Sequence, residues 1–424
     1  MVRTAKPLVF VLWLLVAFWA GILVSQVSGL AYIGGGRLPG GVAASLGEAQ
    51  ELIGQVYYDP SRAHAEELRD GALSGYIQAL KDPFSYFIPS AAARSMAETF
   101  QGQFGGIGIS VEPVGNIYRI FSVLPGTPAE KAGLQPGDTI VAVNDKDISE
   151  LGVYEIVESI RGPEDSEVAL TVWREGFNEP RKFKITRVTI EVPSVSRVKR
   201  ISRDTGFFRI EMFNEKTPQQ VEKALMELRG SGPLRWVVVD LRFNGGGLLE
   251  SGIRTADIFL KEGVIVSVRG RQLDEVTRAR PGGEGEDLRL AILVNEFTAS
   301  ASEIFAAALR ENGRAFVTGK KTFGKASVQV VVPLASGGAV ALVTAHYFTP
   351  TGKNISDQGI EPDIPLPDRA DEVASLRNLW SAREQANAKA TEIQQELAEA
   401  LDAYWLERVL AEVGDAERRG LLQK

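Results

Sequence analysis

The spacing of hydrophobic positions changes several times along the chain, and each change marks a boundary. Residues 8–24, LVFVLWLLVAFWAGILV, form an unbroken apolar run behind Arg3, Lys6 and Pro7. A secretory h-region spans roughly 7–15 residues and a bilayer-crossing helix roughly 17–25, so this run leans towards a signal anchor. The small residues of the following SQVSGLAY also permit cleavage, so residues 1–29 read as a signal anchor or a signal peptide. Both cations precede the run and the next is Arg37, a bias that places the N-terminus in the cytoplasm and the rest outside. IGGGRLPGG then reads as a tether. Across residues 44–97 apolar side chains recur at three- and four-residue steps, predicting helices in SLGEAQELIGQVYY and AHAEELRDGALSGYIQALKD. DPFSYFIPS interrupts them as a turn packed on a core. Residues 30–100 are therefore a linker and N-terminal helical segment.

From Phe104 onwards short β-branched runs replace the helical period. IGISVE, YRIFSVL, TIVAVN, VALTVWR and KFKITRV predict strands, with turns at PGTPAEKAGLQPGD and RGPEDS and one helical stretch, GVYEIVESIRG. Residues 101–190 are read as one compact β module. Past it, strands and helices alternate. RWVVVDLRF and LRLAILVNE are continuous apolar runs, as parallel strands buried on both faces require. NGGG with LLESGIRTADIFLKEG follows the first, and SASEIFAAALRENG then AFVTG follow the second, so βαβ units are expected across residues 191–370. SVQVVVPL and AVALVTAHYFT flank ASGG as a hairpin. Residues 371–424, rich in Ala, Glu, Gln and Leu, read as amphipathic helices that could join copies of the chain. The fold class is α/β plus β.

Composition then removes whole chemistries. The chain of 424 residues has no cysteine, which excludes thiol catalysis, CxxC redox centres and zinc ribbons. Only His64 and His346 are present, so a His-rich metal site is implausible and no metal or cofactor is expected. The net charge is -7 with both signs interspersed, and no basic block is suited to nucleic-acid phosphates.

Three segments carry candidate chemistry. In TASASEIFAAAL a helix opens near Ser300 at the end of an apolar strand, where its hydroxyl and the first helical amides face the sheet edge. Ser300-Ala301-Ser302-Glu303 also fits a capping box, and capping is the commoner job of such a serine. The segment alone does not choose between Ser300 and Ser302. In KKTFGKASVQ, Lys325 lies between Phe323-Gly324 and an apolar strand, a poor place for a solvated ammonium group. A buried lysine of lowered proton affinity is the base that remains when histidine is scarce. A lysine snorkelling at a strand edge is, for this segment by itself, the commoner explanation. Lys320 and Lys321 read as surface charge, and Gln329 shares a strand face with Lys325 from which it can hold the amine. In DLRFNGGGLLE, the glycines let the backbone present amides closely, so Gly246 and Ala301 are candidate oxyanion donors. A tight turn is the plainer reading of that cluster.

KDPFSYF, FGGIGISVE, PGTPAEKAGLQPGDTIVAVN, DLRFNGGGLLESG, TASASEIFAAAL, RAFVTGKKTFGKASVQ and YFTPTGKNISDQGIEPDI, in that order, resemble the C-terminal processing peptidases, also called tail-specific proteases. The likeness covers residues 46–367. It implies a crotonase-like protease core with an inserted PDZ domain and helical segments at both ends. It also implies Ser300 as nucleophile, Lys325 as general base, Gln329 as its partner, and Gly246 with Ala301 as oxyanion amides. It selects Ser300 over Ser302. Ala326 and Gly245 depart from the family pattern, where glycine and often proline stand, without removing a catalytic group. Residues 101–190 become the PDZ domain, with Phe104, Gly105, Gly106, Ile107 and Ile109 as peptide contacts in a glycine loop suited to a terminal carboxylate. The expected function is an extracytoplasmic, membrane-anchored serine endopeptidase acting on proteins with free C-termini, in the bacterial periplasm or at the cell exterior. The rival readings are a catalytically silent PDZ scaffold, which needs no basic amine facing that serine, and a crotonase-like acyl-CoA enzyme, which explains neither export nor the PDZ module.

Overall fold

The computed structural model describes residues 22–23, 41–115, 117–149, 151–366, 408–409 and 411. The apolar run, apart from Ile22 and Leu23, the glycine tether and nearly all of the tail expected to be helical lie outside the described residues. Among the described residues no helix is long and apolar enough to cross a membrane. The chain divides into two compact units, residues 1–90 with 195–213 and 217–424, and residues 91–194 with 214–216.

The first unit begins with α1 (Val42–Val56) and α2 (Ala65–Gln78), neither of which buries a residue. β1 (Tyr86–Ile88) occupies the stretch expected as a turn. It pairs antiparallel with Ala339, Val340 and Ala341, a partner too distant in sequence for the local pattern to reveal.

The second unit comprises α3 (Ser90–Gln101), β2 (Gln103–Gly106), β3 (Ile109–Val114), β4 (Ile117–Val123), α4 (Pro128–Lys131), β5 (Thr139–Val143), β6 (Lys146–Asp147), α5 (Val153–Ile160), β7 (Glu167–Trp173), β8 (Arg181–Thr186) and β9 (Val188–Glu191). β3, β4, β5, β7 and β8 form an antiparallel sheet in that order, with β6 on β5, while β2 pairs only with β9. Alternation does the sorting: in β7, Val168, Leu170 and Val172 enter the core beside Ile120, Ile140 and Ile156, while their neighbours point away.

The first unit resumes with β10 (Val195–Arg200), β11 (Thr205–Ile210), α6 (Thr217–Gly230), β12 (Trp236–Asp240), α7 (Leu249–Asp257), β13 (Val264–Gly270), β14 (Asp274–Arg278), β15 (Arg289–Val294), α8 (Ala301–Glu311), β16 (Ala315–Gly319), β17 (Ser327–Pro333), β18 (Ala339–Phe348) and β19 (Ile364–Pro365). β10, β11, β12, β15, β16 and β19 make one sheet in that order, parallel except at β10. Both faces of β12 are covered. Val237 and Val239 join the cluster of α6 and α8, and Trp236 and Val238 join Phe207, Leu293 and Phe316 opposite. That explains the uninterrupted apolar run. β17, β18, β13 and β14 form a second, antiparallel sheet with β1 also on β18. α8, buried from Ala301 to Leu309, touches β16 of one sheet and β13 of the other.

Candidate active site

Parallel strands aim their carboxyl ends at one rim, so the segments leaving adjacent strands meet there. β12, β15 and β16 are adjacent, and the segments after Asp240, Val294 and Gly319 contain all five sequence-predicted residues of the first unit except Gln329, which lies just beyond in β17.

The first segment is anchored by Asp240, which is fully buried. Its carboxylate accepts the Arg242 backbone N–H (2.9 Å), Nε (3.0 Å) and Nη2 (2.8 Å), with Arg209 Nη1 at 3.8 Å. Burial alone would raise this carboxyl, but the two guanidinium groups outweigh it and hold the group below the usual carboxylate range. Asn244 then ties the turn together. Its Nδ2 donates to the Ile210 carbonyl (2.8 Å), its Oδ1 accepts the Gly246 N–H (2.8 Å), and its carbonyl accepts the Ala299 N–H (3.1 Å) and Ser302 Oγ–H (3.1 Å). Gly246 sits at φ 108°, and a Cβ there would stand 2.9 Å from Ser300 Cβ and 3.0 Å from Ala301 N. Only glycine fits that approach. Its N–H, expected as an oxyanion donor, is engaged by Asn244 in this structure.

The second segment is pinned by Thr298, whose hydroxyl donates to Leu241 O (2.9 Å). Ser300 follows at φ 57°, ψ -119°, where a residue with a side chain rarely sits. An ordinary helix N-cap is extended instead, so the turn is not built for capping. The Ser300 hydroxyl makes no cap hydrogen bond. Only the reciprocal half of the expected capping box is made, from the Ser300 N–H to Glu303 Oε2 (2.9 Å). Ala301 N–H opens α8 and has no carbonyl of its own helix to meet. Ser302 turns inward and is fully buried, its hydroxyl spent on Asn244.

The third segment buries Lys325 to 2% exposure. Its Nζ donates to Gln329 Oε1 (2.9 Å) and lies 5.1 Å from the centroid of the Phe84 ring, while Gln329 Nε2 donates to the Phe84 carbonyl. Burial lowers the amine to about 7, with the charge of Glu303 acting in the opposite sense. Surface lysines 320 and 321 pair instead with Glu296 (3.2 Å) and Glu361 (2.9 Å). No hydrogen bond joins Ser300 Oγ to Lys325 Nζ among the described residues. Glu303, Tyr347, Asn244 and Phe84 were not singled out from the sequence. Of these only Glu303 carried a signal, the S-x-x-E spacing.

The second unit carries its own cleft. β3 ends its sheet and faces α5, and Phe104, Gly106, Ile107, Gly108, Ile109, Val111, Val157, Ile160 and Arg161 line a cleft of about 50 Å³ between them. Phe104, Gly105 and Gly106 are strand, not the expected loop: they pair with Ile190, Thr189 and Val188, and a Cβ on Gly105 would strike the Gly162 carbonyl at 1.9 Å. Ile107 is a core residue of this unit. Arg161 covers the Phe104 ring at 4.4 Å and donates to Ser95 Oγ (3.0 Å). No group of three or more metal-ligating side chains is placed to hold an ion among the described residues.

Comparison with known proteins agrees with this architecture. Residues 204–366 match peptidase family S41 and residues 119–174 match a PDZ domain. A carboxy-terminal-processing protease of Bartonella bacilliformis is 39% identical over 313 residues, 72% of this chain and 71% of the relative. A probable CtpA-like serine protease of Staphylococcus aureus is 34% identical over 319 residues, 74% of this chain and 63% of the relative. A solved photosystem II D1 C-terminal processing protease is 28% identical and covers 76% of this chain and 92% of its own, with a TM-score of 0.44. With two of three segments on adjacent parallel strands built around a strained serine and a buried lysine, and with relatives of this kind, the chain belongs to the S41 peptidases as a serine-type, carboxy-terminal-processing protease that carries a PDZ domain.

Proposed function

We propose that the chain is an extracytoplasmic endopeptidase, held at the cytoplasmic membrane by its N-terminal apolar run, that cleaves proteins near their C-termini with Ser300 as nucleophile and Lys325 as general base. The protease core is read as crotonase-like and spans residues 191–370. The observation that carries the reading is Lys325: an amine buried to 2% exposure, with its proton affinity lowered to about 7, on the strand end next to a strained serine.

The chemistry follows from what each group can hold. Lys325 Nζ leaves Gln329 Oε1 for the Ser300 hydroxyl and takes its proton as Oγ attacks the scissile carbonyl. Gln329 then accepts from the ammonium, which donates a proton to the leaving amine. Ala301 N–H and Gly246 N–H receive the negative oxygen, the latter exchanging Asn244 Oδ1 for it. Water repeats the sequence on the acyl-enzyme. The edge of β3 takes the substrate tail as an added strand, with apolar side chains in the cleft against Ile109, Val157 and Ile160.

The experiment is cleavage of a protein with an unstructured, apolar C-terminal tail by wild type, Ser300→Ala and Lys325→Ala. Wild type cleaves and both variants do not, while all three bind the tail peptide. Residual cleavage by Ser300→Ala would falsify the nucleophile assignment. That no hydrogen bond joins Ser300 Oγ to Lys325 Nζ, which is held by Gln329 instead, favours a second reading, a silent scaffold, which predicts tail binding without cleavage by wild type.

A further inference from the structure

Glu303 is fully buried and accepts four hydrogen bonds from two different segments. The Ser300 N–H reaches Oε2 at 2.9 Å. From the segment before β17 come the Lys325 N–H on Oε2 (2.9 Å), the Gly324 N–H on Oε1 (2.8 Å) and the Thr322 hydroxyl on Oε1. Thr322 Oγ1 accepts the Ile360 N–H (2.7 Å), so its own proton is directed at Glu303. A capping box accounts for one of these four bonds. Burial raises the carboxyl to about 7, while the four donors favour its ionised form. On the carbonyl side, the Tyr347 hydroxyl donates to Lys325 O and lies 3.3 Å from Ser300 O.

We propose that Glu303 is a positioning residue, a single buried bracket that fastens the nucleophile turn and the base segment to each other through their backbone N–H groups. The inference rests on reading Ser300 and Lys325 as nucleophile and base. Helix capping needs no donors from residues 322–325, and three of the four come from there.

The titratable groups facing the carboxylate are Lys325 from the third segment and Tyr347 from β18. Its charge favours the protonated form of Lys325 and opposes the effect of burial. Removing that charge therefore has two separable effects. The two segments slacken, which lowers turnover, and the amine gives up its proton at lower pH, which moves the acid limb of the pH profile down. A residue that only stabilised the helix would change the amount of folded enzyme and leave the limb in place.

The test measures kcat and KM against pH, from about 5.5 to about 9.5, for the full chain in detergent. It compares wild type, Ser300→Ala, Glu303→Gln and Thr322→Val on one peptide substrate. Glu303→Gln is expected to lose about 100-fold in kcat, the scale of a 1 Å misplacement, with KM within about twofold. Its acid limb is expected to move down by at least about half a pH unit. Thr322→Val, which removes one of the four donors and keeps the charge, is expected to lose about tenfold in kcat with the limb unmoved. Wild-type kcat in Glu303→Gln, or an unmoved limb in that variant, overturns the proposal. If Glu303→Gln does not fold, wild-type kcat in Thr322→Val overturns it. Cleavage by Ser300→Ala would instead overturn the nucleophile assignment, a result that cannot be mistaken for failure of the bracket.

Discussion

Replacing Lys325 by methionine removes the amine and keeps most of its volume, so the variant should be inactive yet gain stability in a pH-dependent way. An unfolded lysine holds its proton up to 10.5, whereas burial lowers Lys325 to about 7 in the folded chain. Between those values the unfolded state binds the extra proton, so wild-type stability climbs with pH. Near pH 8 the buried amine costs on the order of 3 kcal/mol, and near pH 10.5 well under 1 kcal/mol. Methionine has nothing to titrate. Stranding Gln329 Oε1 costs the variant about 1–3 kcal/mol, but it does so at both pH values and cancels from their comparison. Above pH 7 Glu303 is largely ionised, so it adds little slope of its own over this window. The assay is urea denaturation of both proteins at about pH 8 and about pH 10.5, followed by tryptophan fluorescence. The stability of the variant relative to wild type should fall by on the order of 3 kcal/mol across that interval. An equal difference at both pH values would show that the amine is solvated, and the general-base reading would lose its physical footing.

Three further outcomes are expected. Gly246→Ala forces a Cβ to within 2.9 Å of Ser300 Cβ at φ 108°, so it should lose about 1–3 kcal/mol in denaturation and nearly all peptide cleavage. Phe84→Ala opens the Lys325 amine to water, so the acid limb of kcat/KM should rise by at least about half a pH unit, opposite in direction to Glu303→Gln. An unmoved limb would show that the ring does not shield the amine. Asp240→Asn removes the buried carboxylate that Arg242 grips, while Arg209 keeps Glu211 at 3.1 Å, and should cost about 3–5 kcal/mol, measured by thermal unfolding.

The parts of this molecule that were legible in the sequence are those decided by neighbours. Val237, Val238 and Val239 announce a strand buried on both faces, and Val168, Leu170 and Val172 announce a sheet with one face inward. The four-residue spacing of Lys325 and Gln329 foretold their 2.9 Å contact, although Lys325 lies two residues before β17 and not in the strand itself. The features that escaped depend on distant partners. Gln103 to Gly106 reads as a glycine loop until Val188 to Glu191 supplies its hydrogen bonds, and Tyr86 to Ile88 reads as a turn until Ala339 to Ala341 does the same. Lys199, Arg200 and Arg203 interrupt the apolar pattern around β10 and β11, and neither strand was marked. Glu303 is the instructive case. Its spacing to Ser300 shows the local bond, and nothing in the spacing can show the three that arrive from 19 to 22 residues further on. The strained backbone of Ser300, which separates it from an ordinary cap, has no sequence signature at all.

Because the reactive groups are collected where β12, β15 and β16 finish, the places where those strands start are chemically idle. Ser231 and Pro233 lead into β12 and are exposed, and Pro281 and Gly282, on the way into β15, are exposed as well. Fluorophores, affinity handles or even short insertions belong there: they would report on the enzyme without touching its reaction, whereas one extra residue between Val294 and Ser300 would carry the hydroxyl away from everything arranged to meet it.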